Sequence, residues 1–165
     1  MKRLKSIAKS QVGLTLIELL IALAITGIIM GTATAITFQV FDGEARANNH
    51  LDALSRVQNA GREISRDGGM AQIVEWPDGY IIRLIWYGWE DNQTYRVDYS
   101  IEENELKREH YIDDSLDSSY VFEYVSCQRD PDAEGLAFIL TATVGVGSQQ
   151  VSESRVYSVT PRPSI

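Results

Sequence analysis

Apolar and polar positions follow three successive patterns along this chain. From Leu14 to Phe41 the sequence is uncharged except at Glu18. Such a run exceeds the roughly 20 residues a helix needs to cross about 30 Å of hydrocarbon, and it predicts a membrane-spanning helix over residues 14–41. Beyond Phe41 the residues turn polar, while apolar or small ones recur at steps of three and four through Ala47, Leu51, Leu54, Val57, Gly61 and Ile64. That period predicts an amphipathic continuation over residues 42–69, with one apolar stripe and charged faces that include Asp67. Gly68 and Gly69 are the first stop signal, so the helix itself is expected to end near Asp67.

From Met70 onward the period shortens to two. Residues 71–76 and 80–87 read as a hairpin around Pro77, Asp78 and Gly79. Thr94 to Ile101 alternates polar and apolar without exception, the mark of a half-buried antiparallel strand. A turn at Glu102, Glu103 and Asn104 leads it back into residues 105–111, and further strands are expected at 120–127, 136–144 and 151–159. The predicted class is α+β: a long N-terminal helix packed on a mostly antiparallel sheet, with residues 70–165 as the head. The roughly 95 residues after the helix suffice for one small domain and not for two.

Glu18 is the position that asks for a reason. A carboxylate one turn inside a membrane helix costs about 2.5 kcal/mol or more, and the span holds no lysine or arginine. Its cation has to be created or borrowed. A cut between Gly13 and Leu14 creates one, placing a new α-amino group about one helical turn from Glu18 in the same subunit or in a packed neighbour. Upstream, Lys2, Arg3, Lys5 and Lys9 occur without any acid. This basic flank keeps the N-terminus in the cytoplasm and sends the head across the membrane.

The basic leader ending in Gly13, followed by Leu14, Thr15, two aliphatic residues, Glu18 and the long apolar stretch, resembles the N-terminus of type IV prepilins and of the pseudopilins of type II secretion. The resemblance implies that prepilin peptidase removes residues 1–13 and that Leu14 becomes an N-methylated terminus. Thr15 and Glu18 then belong to the assembly motif. Leu14 departs from the family's usual phenylalanine. The implied partners are other pilin or pseudopilin subunits, the peptidase and an inner-membrane assembly platform. The implied location is the cytoplasmic membrane, crossed once, with the head periplasmic or extracellular and the subunit in a pilus or pseudopilus once assembled. The aromatic, β-rich head looks most like that of a minor pseudopilin. A single-pass anchored binding module that does not polymerise is the alternative. Gly27 and Gly31 form a G-x-x-x-G that suits close helix packing. No proline precedes Pro77, so the kink that many family members carry is not expected.

Composition narrows the partners. The chain has 23 acidic and 15 basic residues for a net charge of −8, and losing the four basic leader residues takes it to −12. Such a surface repels phosphate backbones, so no nucleic-acid partner is expected. Cys127 is the single cysteine; it forms no intrachain disulfide and reads as a buried residue near a strand end. Neither zinc spacing nor a phosphate loop is present, and nothing aligns a catalytic triad. His50 and His110 read as structural or surface groups, and Trp76, Trp86 and Trp89 as core and rim aromatics. The expectation is a non-enzymatic protein without a cofactor. Two acidic stretches cluster oxygens as calcium requires: Asp113, Asp114 and Asp117, and Asp130, Asp132 and Glu134. The resemblance adds weight to them, because a major pseudopilin binds calcium in its head. Both lack EF-hand spacing and read as solvated loops.

Overall fold

The computed structural model describes residues 15–131, 133 and 135–162. Among these, one α-helix, α1, runs Leu16–Met70. Eight strands follow: β1 (Ile73–Glu75), β2 (Ile82–Tyr87), β3 (Thr94–Glu102), β4 (Glu105–Ile112), β5 (Ser115–Phe122), β6 (Val125–Arg129), β7 (Leu136–Val144) and β8 (Val151–Val159). The strands build a five-stranded sheet in the order β1-β2-β3-β4-β5 and a three-stranded sheet β6-β7-β8. Every neighbouring pair is antiparallel. The class is therefore α+β, with two sheets where the periodicity suggests one. The chain divides between Gly43 and Glu44 into two units.

In the first unit every described residue, from Thr15 to Gly43, is exposed. The threonines in this apolar stretch satisfy their hydroxyls within the helix. Thr26 donates to the Ala22 carbonyl at 2.7 Å, Thr34 to Met30 at 2.8 Å and Thr37 to Ala33 at 2.9 Å, while Thr32 reaches Ile29 at 2.9 Å. Internal satisfaction is what an apolar solvent demands of a polar group, so these threonines are compatible with hydrocarbon around them.

In the second unit α1 buries Ala53, Val57, Ala60, Gly61, Ile64, Asp67 and Gly68 against a single core that includes Leu84, Tyr99, Leu106, Phe138 and Leu140. The buried stripe keeps Val57, Gly61 and Ile64 of the expected one and departs from it earlier in the helix. Ala47 and Leu51 are exposed and Leu54 is only half-buried, because the face turned inward carries small residues. A Cβ on Gly61 would enter the ring of Tyr157, and one on Gly68 would enter Val159. Close approach to β8 selects small side chains at the contact, and the leucines are left beside it. Gly68 is thus a packing residue and no stop; the helix continues to Met70, with the Ala71 N–H donating to the Asp67 carbonyl at 3.1 Å.

The expected β1-β2 and β3-β4 hairpins form. At the tip of the second, Glu103 and Asn104 take φ values of 50° and 69°, the left-handed pair of a two-residue type I′ turn. Asp113 and Asp114 repeat it at 47° and 63° and join β4 to β5. This second turn corrects the sequence reading, which placed an acidic loop here and one strand over residues 120–127. Tyr124, at φ 63°, divides that stretch between β5 and β6. The alternation that would reveal β5 is missing because the strand is exposed at every residue but Phe122.

Candidate assembly site

The first turn of α1 is closed by a reciprocal pair. Glu18 Oε2 accepts hydrogen bonds from the Thr15 N–H and the Thr15 hydroxyl, each at 2.9 Å, and the Glu18 N–H donates back to Thr15 Oγ1 at 3.3 Å. This is a capping box, in which the residue before the helix and the third residue inside it satisfy each other's orphan donors. The Thr-x-x-Glu spacing carries that signal in the sequence, but the sequence reading took Glu18 only as a charge in need of a cation. The structure amends it: the carboxylate already has two neutral donors nearby, and its position favours the positive end of the helix dipole. Among the described residues no cation reaches it, so its charge remains available. Gly13 and Leu14, the expected cleavage and methylation positions, lie outside the described residues. A Cβ added to Gly27 or Gly31 meets nothing within 4 Å, so these glycines have no packing role within the subunit.

The head contains a charge cluster that periodicity did not reveal. Asp67 is fully buried, although helical spacing placed it among the charged faces. Its carboxylate accepts from Arg108 Nε at 2.7 Å, from Arg108 Nη2 at 3.1 Å and from the Tyr99 hydroxyl at 2.7 Å. Tyr99 and Arg108 are direct partners across β3 and β4, so the sheet presents both donors to the helix together. Burial pushes the Tyr99 phenol well above its ordinary value, with the Asp67 charge adding to the effect. At Arg108 burial works against the charge, but the hydrogen bonds and charge of Asp67 outweigh it and raise the guanidinium. On the opposite face of the sheet, Asp98 is 2% exposed and bound by Arg83 at 2.7 and 3.0 Å. The Arg83 side chain is raised mainly by that hydrogen bond.

The first acidic stretch is occupied by protein groups. Asp113 Oδ1 accepts the Thr94 N–H at 2.9 Å, Asp114 pairs with Arg96, and Asp117 Oδ2 lies 3.0 Å from His110 Nδ1. In the second stretch the Asp130 N–H donates to the Ala137 carbonyl at 2.9 Å; Asp132 and Glu134 lie outside the described residues. No group of three His, Cys, Asp or Glu suited to a metal converges among the described residues. His50 pairs with Glu153 at 2.9 Å. His110 stacks with Trp86 and Tyr95, the three ring centroids lying 5.7 to 6.2 Å apart. The tryptophans divide between core and rim: Trp86 is half-buried and packs against the core, Trp76 is 43% exposed with Arg129 over its ring, and Trp89 is 74% exposed. Cys127 is buried, as expected, but at the centre of β6 rather than near a strand end, and burial pushes its thiol up to about 12.

Residues 9–34 match the family described as the prokaryotic N-terminal methylation motif. Its N-terminus is of the prepilin type. The motif belongs to structural subunits that a peptidase processes and that assemble with pilins, and α1 is long and apolar enough to cross a membrane by length and composition. No curated protein and no solved structure matches this chain.

Proposed function

We propose that this chain is a structural subunit, and a minor one, of a type IV filament machine: a type II secretion pseudopilus or a type IV pilus. Prepilin peptidase cuts after Gly13, Leu14 is N-methylated, and residues 14–41 hold the subunit in the cytoplasmic membrane with the head outside it. The peptide from residue 14 then enters the filament by packing against neighbouring helices, with Gly27 and Gly31 permitting close approach. One observation carries the reading. From Thr15 to Gly43 every described residue is exposed, and the single charge between Leu16 and Phe41 sits at the start of the helix with only neutral donors around it. A continuous apolar surface of this size needs an outside partner, which lipid supplies before assembly and other helices supply after it. An anchor needs the apolar surface and the helix cap equally, but has no use for a charge at Glu18.

In the filament the Glu18 carboxylate pairs with the terminal ammonium of a neighbour's Leu14 and sets the axial register. Glu18→Gln separates that role from capping, because a carboxamide oxygen still accepts from Thr15 while the charge is gone. Membrane insertion and cleavage after Gly13 should persist, and incorporation, measured by cysteine crosslinking to partner subunits, should fall about tenfold, the equivalent of about 1.4 kcal/mol of lost pairing. Incorporation equal to wild type, with cleavage intact, refutes charge pairing and leaves the head to direct assembly; no crosslinking to partner subunits even for the wild-type chain favours the non-polymerising anchor.

A further inference from the structure

β5 ends the five-stranded sheet and pairs with no strand on its outer side among the described residues. Seven of its eight residues are exposed. Proteins usually blunt such an edge with a proline, a lysine or a very short strand, since unpaired N–H and C=O groups recruit other strands. The opposite edge, β1, is blunted: it has three residues and Pro77 follows closely. β5 is eight residues long and has neither proline nor lysine; it keeps only a bulge opposite His110 and Tyr111 on β4 and one charge, Asp117, held by His110, while Leu116 and Tyr120 on it are 53% and 61% exposed.

Beside this open edge lies a cleft of about 370 Å³ between α1 and β5, lined by Asn59, Arg62, Glu63, Arg108, Tyr120 and Phe122. Tyr120 and Phe122 stand edge to face, their centroids 4.8 Å apart, and cross-strand register with Arg108 and Leu106 sets both on the α1 side of the sheet. The charges in the cleft are already matched except one. Glu63 pairs with Arg66 and Arg108 with Asp67, while Arg62 is exposed and has no ion pair among the described residues. A lone cation beside an aromatic pair, on a chain of net charge −8, marks the cleft for a negative group.

We propose that the α1–β5 cleft is a docking site for an extended acidic segment of a partner protein, which adds to β5 as a further strand and places a carboxylate on Arg62. Strand addition supplies main-chain hydrogen bonds, and every second side chain of the added strand falls on the α1 side, where Arg62 and the two rings read it. An edge-bound peptide fits better than a free small acid, because the cleft is continuous with the open backbone of β5. The inference concerns residues 44–165 alone and stands or falls separately from the assembly reading.

The test is selection of displayed random ten-residue peptides on the full chain in detergent micelles, followed by amide hydrogen exchange with a synthetic copy of the winner. The expected result is alternating β-formers with an acid at one fixed position, slowed exchange across residues 115–122, and affinity at least tenfold weaker for Arg62→Gln. Tyr120→Ala should weaken binding as well, and both substitutions are at exposed positions, so the fold persists. Failure to enrich any peptide, winners without an acid, equal affinity for Arg62→Gln, or protection elsewhere overturns the proposal. Protection of β5 without peptide that grows with protein concentration also overturns it, since a second copy then occupies the edge.

Discussion

The two stretches of α1 draw on similar aliphatic residues and treat them in opposite ways. Before Gly43, Leu16 is 77% exposed, Ile28 69% and Phe38 67%; in the second unit Val57 and Ile64 are 0% and 1% exposed. Polar groups divide along the same line. Up to Thr37, the threonine hydroxyls and Glu18 find partners three or four residues away, whereas Asp67 reaches 32 residues to Tyr99 and 41 to Arg108. The first stretch therefore holds its helix by local bonds alone and leaves its surface for other molecules. The second is held by contacts distant in sequence and is complete without a partner. Substitutions in the first should be silent in the isolated subunit and costly in the assembly; in the second the order should reverse.

The strongest test of that contrast is the buried ion pair. Arg108→Met takes the two close guanidinium hydrogen bonds from buried Asp67 and leaves it only the exposed Arg66 at 3.5 Å, and breaking a buried pair of this kind typically costs about 3–5 kcal/mol. Urea unfolding of the full chain in micelles, followed by the fluorescence of Trp76, Trp86 and Trp89, should show a loss of that order. The double variant Asp67→Leu/Arg108→Met should recover most of it, because it removes the orphaned charge along with its partner. Glu18→Gln in the same assay should leave the midpoint unchanged; a loss there breaks the contrast.

Glycines probe the contrast at smaller amplitude. Gly61→Ala pushes a methyl into Tyr157, and overpacking of this kind costs about 1–3 kcal/mol. Gly27→Ala and Gly31→Ala meet open space and should not destabilise the isolated subunit. If Gly27→Ala moved the head's unfolding midpoint, the two stretches of α1 would not be independent.

How much of this was legible beforehand follows from where each signal comes from. The prepilin-type N-terminus, the apolar run and the strands β3, β4, β7 and β8 were readable because burial, or a required absence of charge, imprints a period on the residues. The helix stripe holds at Val57, Gly61 and Ile64 and fails at Ala47 and Leu51, since close contact with β8 selects small residues such as Gly68, which a hydrophobicity pattern weighs lightly. β5 escaped notice for the opposite reason: an edge exposed on both faces has no burial to record. Asp67 looked like any other surface acid, because its partners lie on strands whose register no local pattern encodes. The capping box was present in the letters Thr15 to Glu18 and was obscured by attention to the missing cation.

The smallest predicted effect concerns Cys127, which tests the core by titration. Its thiol sits among core side chains, and burial disfavours the thiolate, raising the value from 9.0 to about 12. In the unfolded chain the thiol ionises near its ordinary value, so between about pH 9 and 12 the folded state holds a proton that the unfolded state has lost. Stability falls with rising pH wherever the native state binds more protons. The contribution is fully present below about pH 9 and disappears as pH rises through about 12. Tyr99, raised by burial, has the same sign and acts at higher pH. One pH unit above the unfolded value corresponds to about 1.4 kcal/mol, so between pH 7.5 and pH 10 the wild-type chain should lose about 1 kcal/mol more than Cys127→Val. Valine keeps the site apolar and removes the titrating group, so the variant serves as the baseline for every other alkaline effect in the head. Equal losses in the two proteins would mean that water reaches the thiol in the folded state, and the closed core that separates residues 44–165 from the uncovered helix would have to be redrawn around β6.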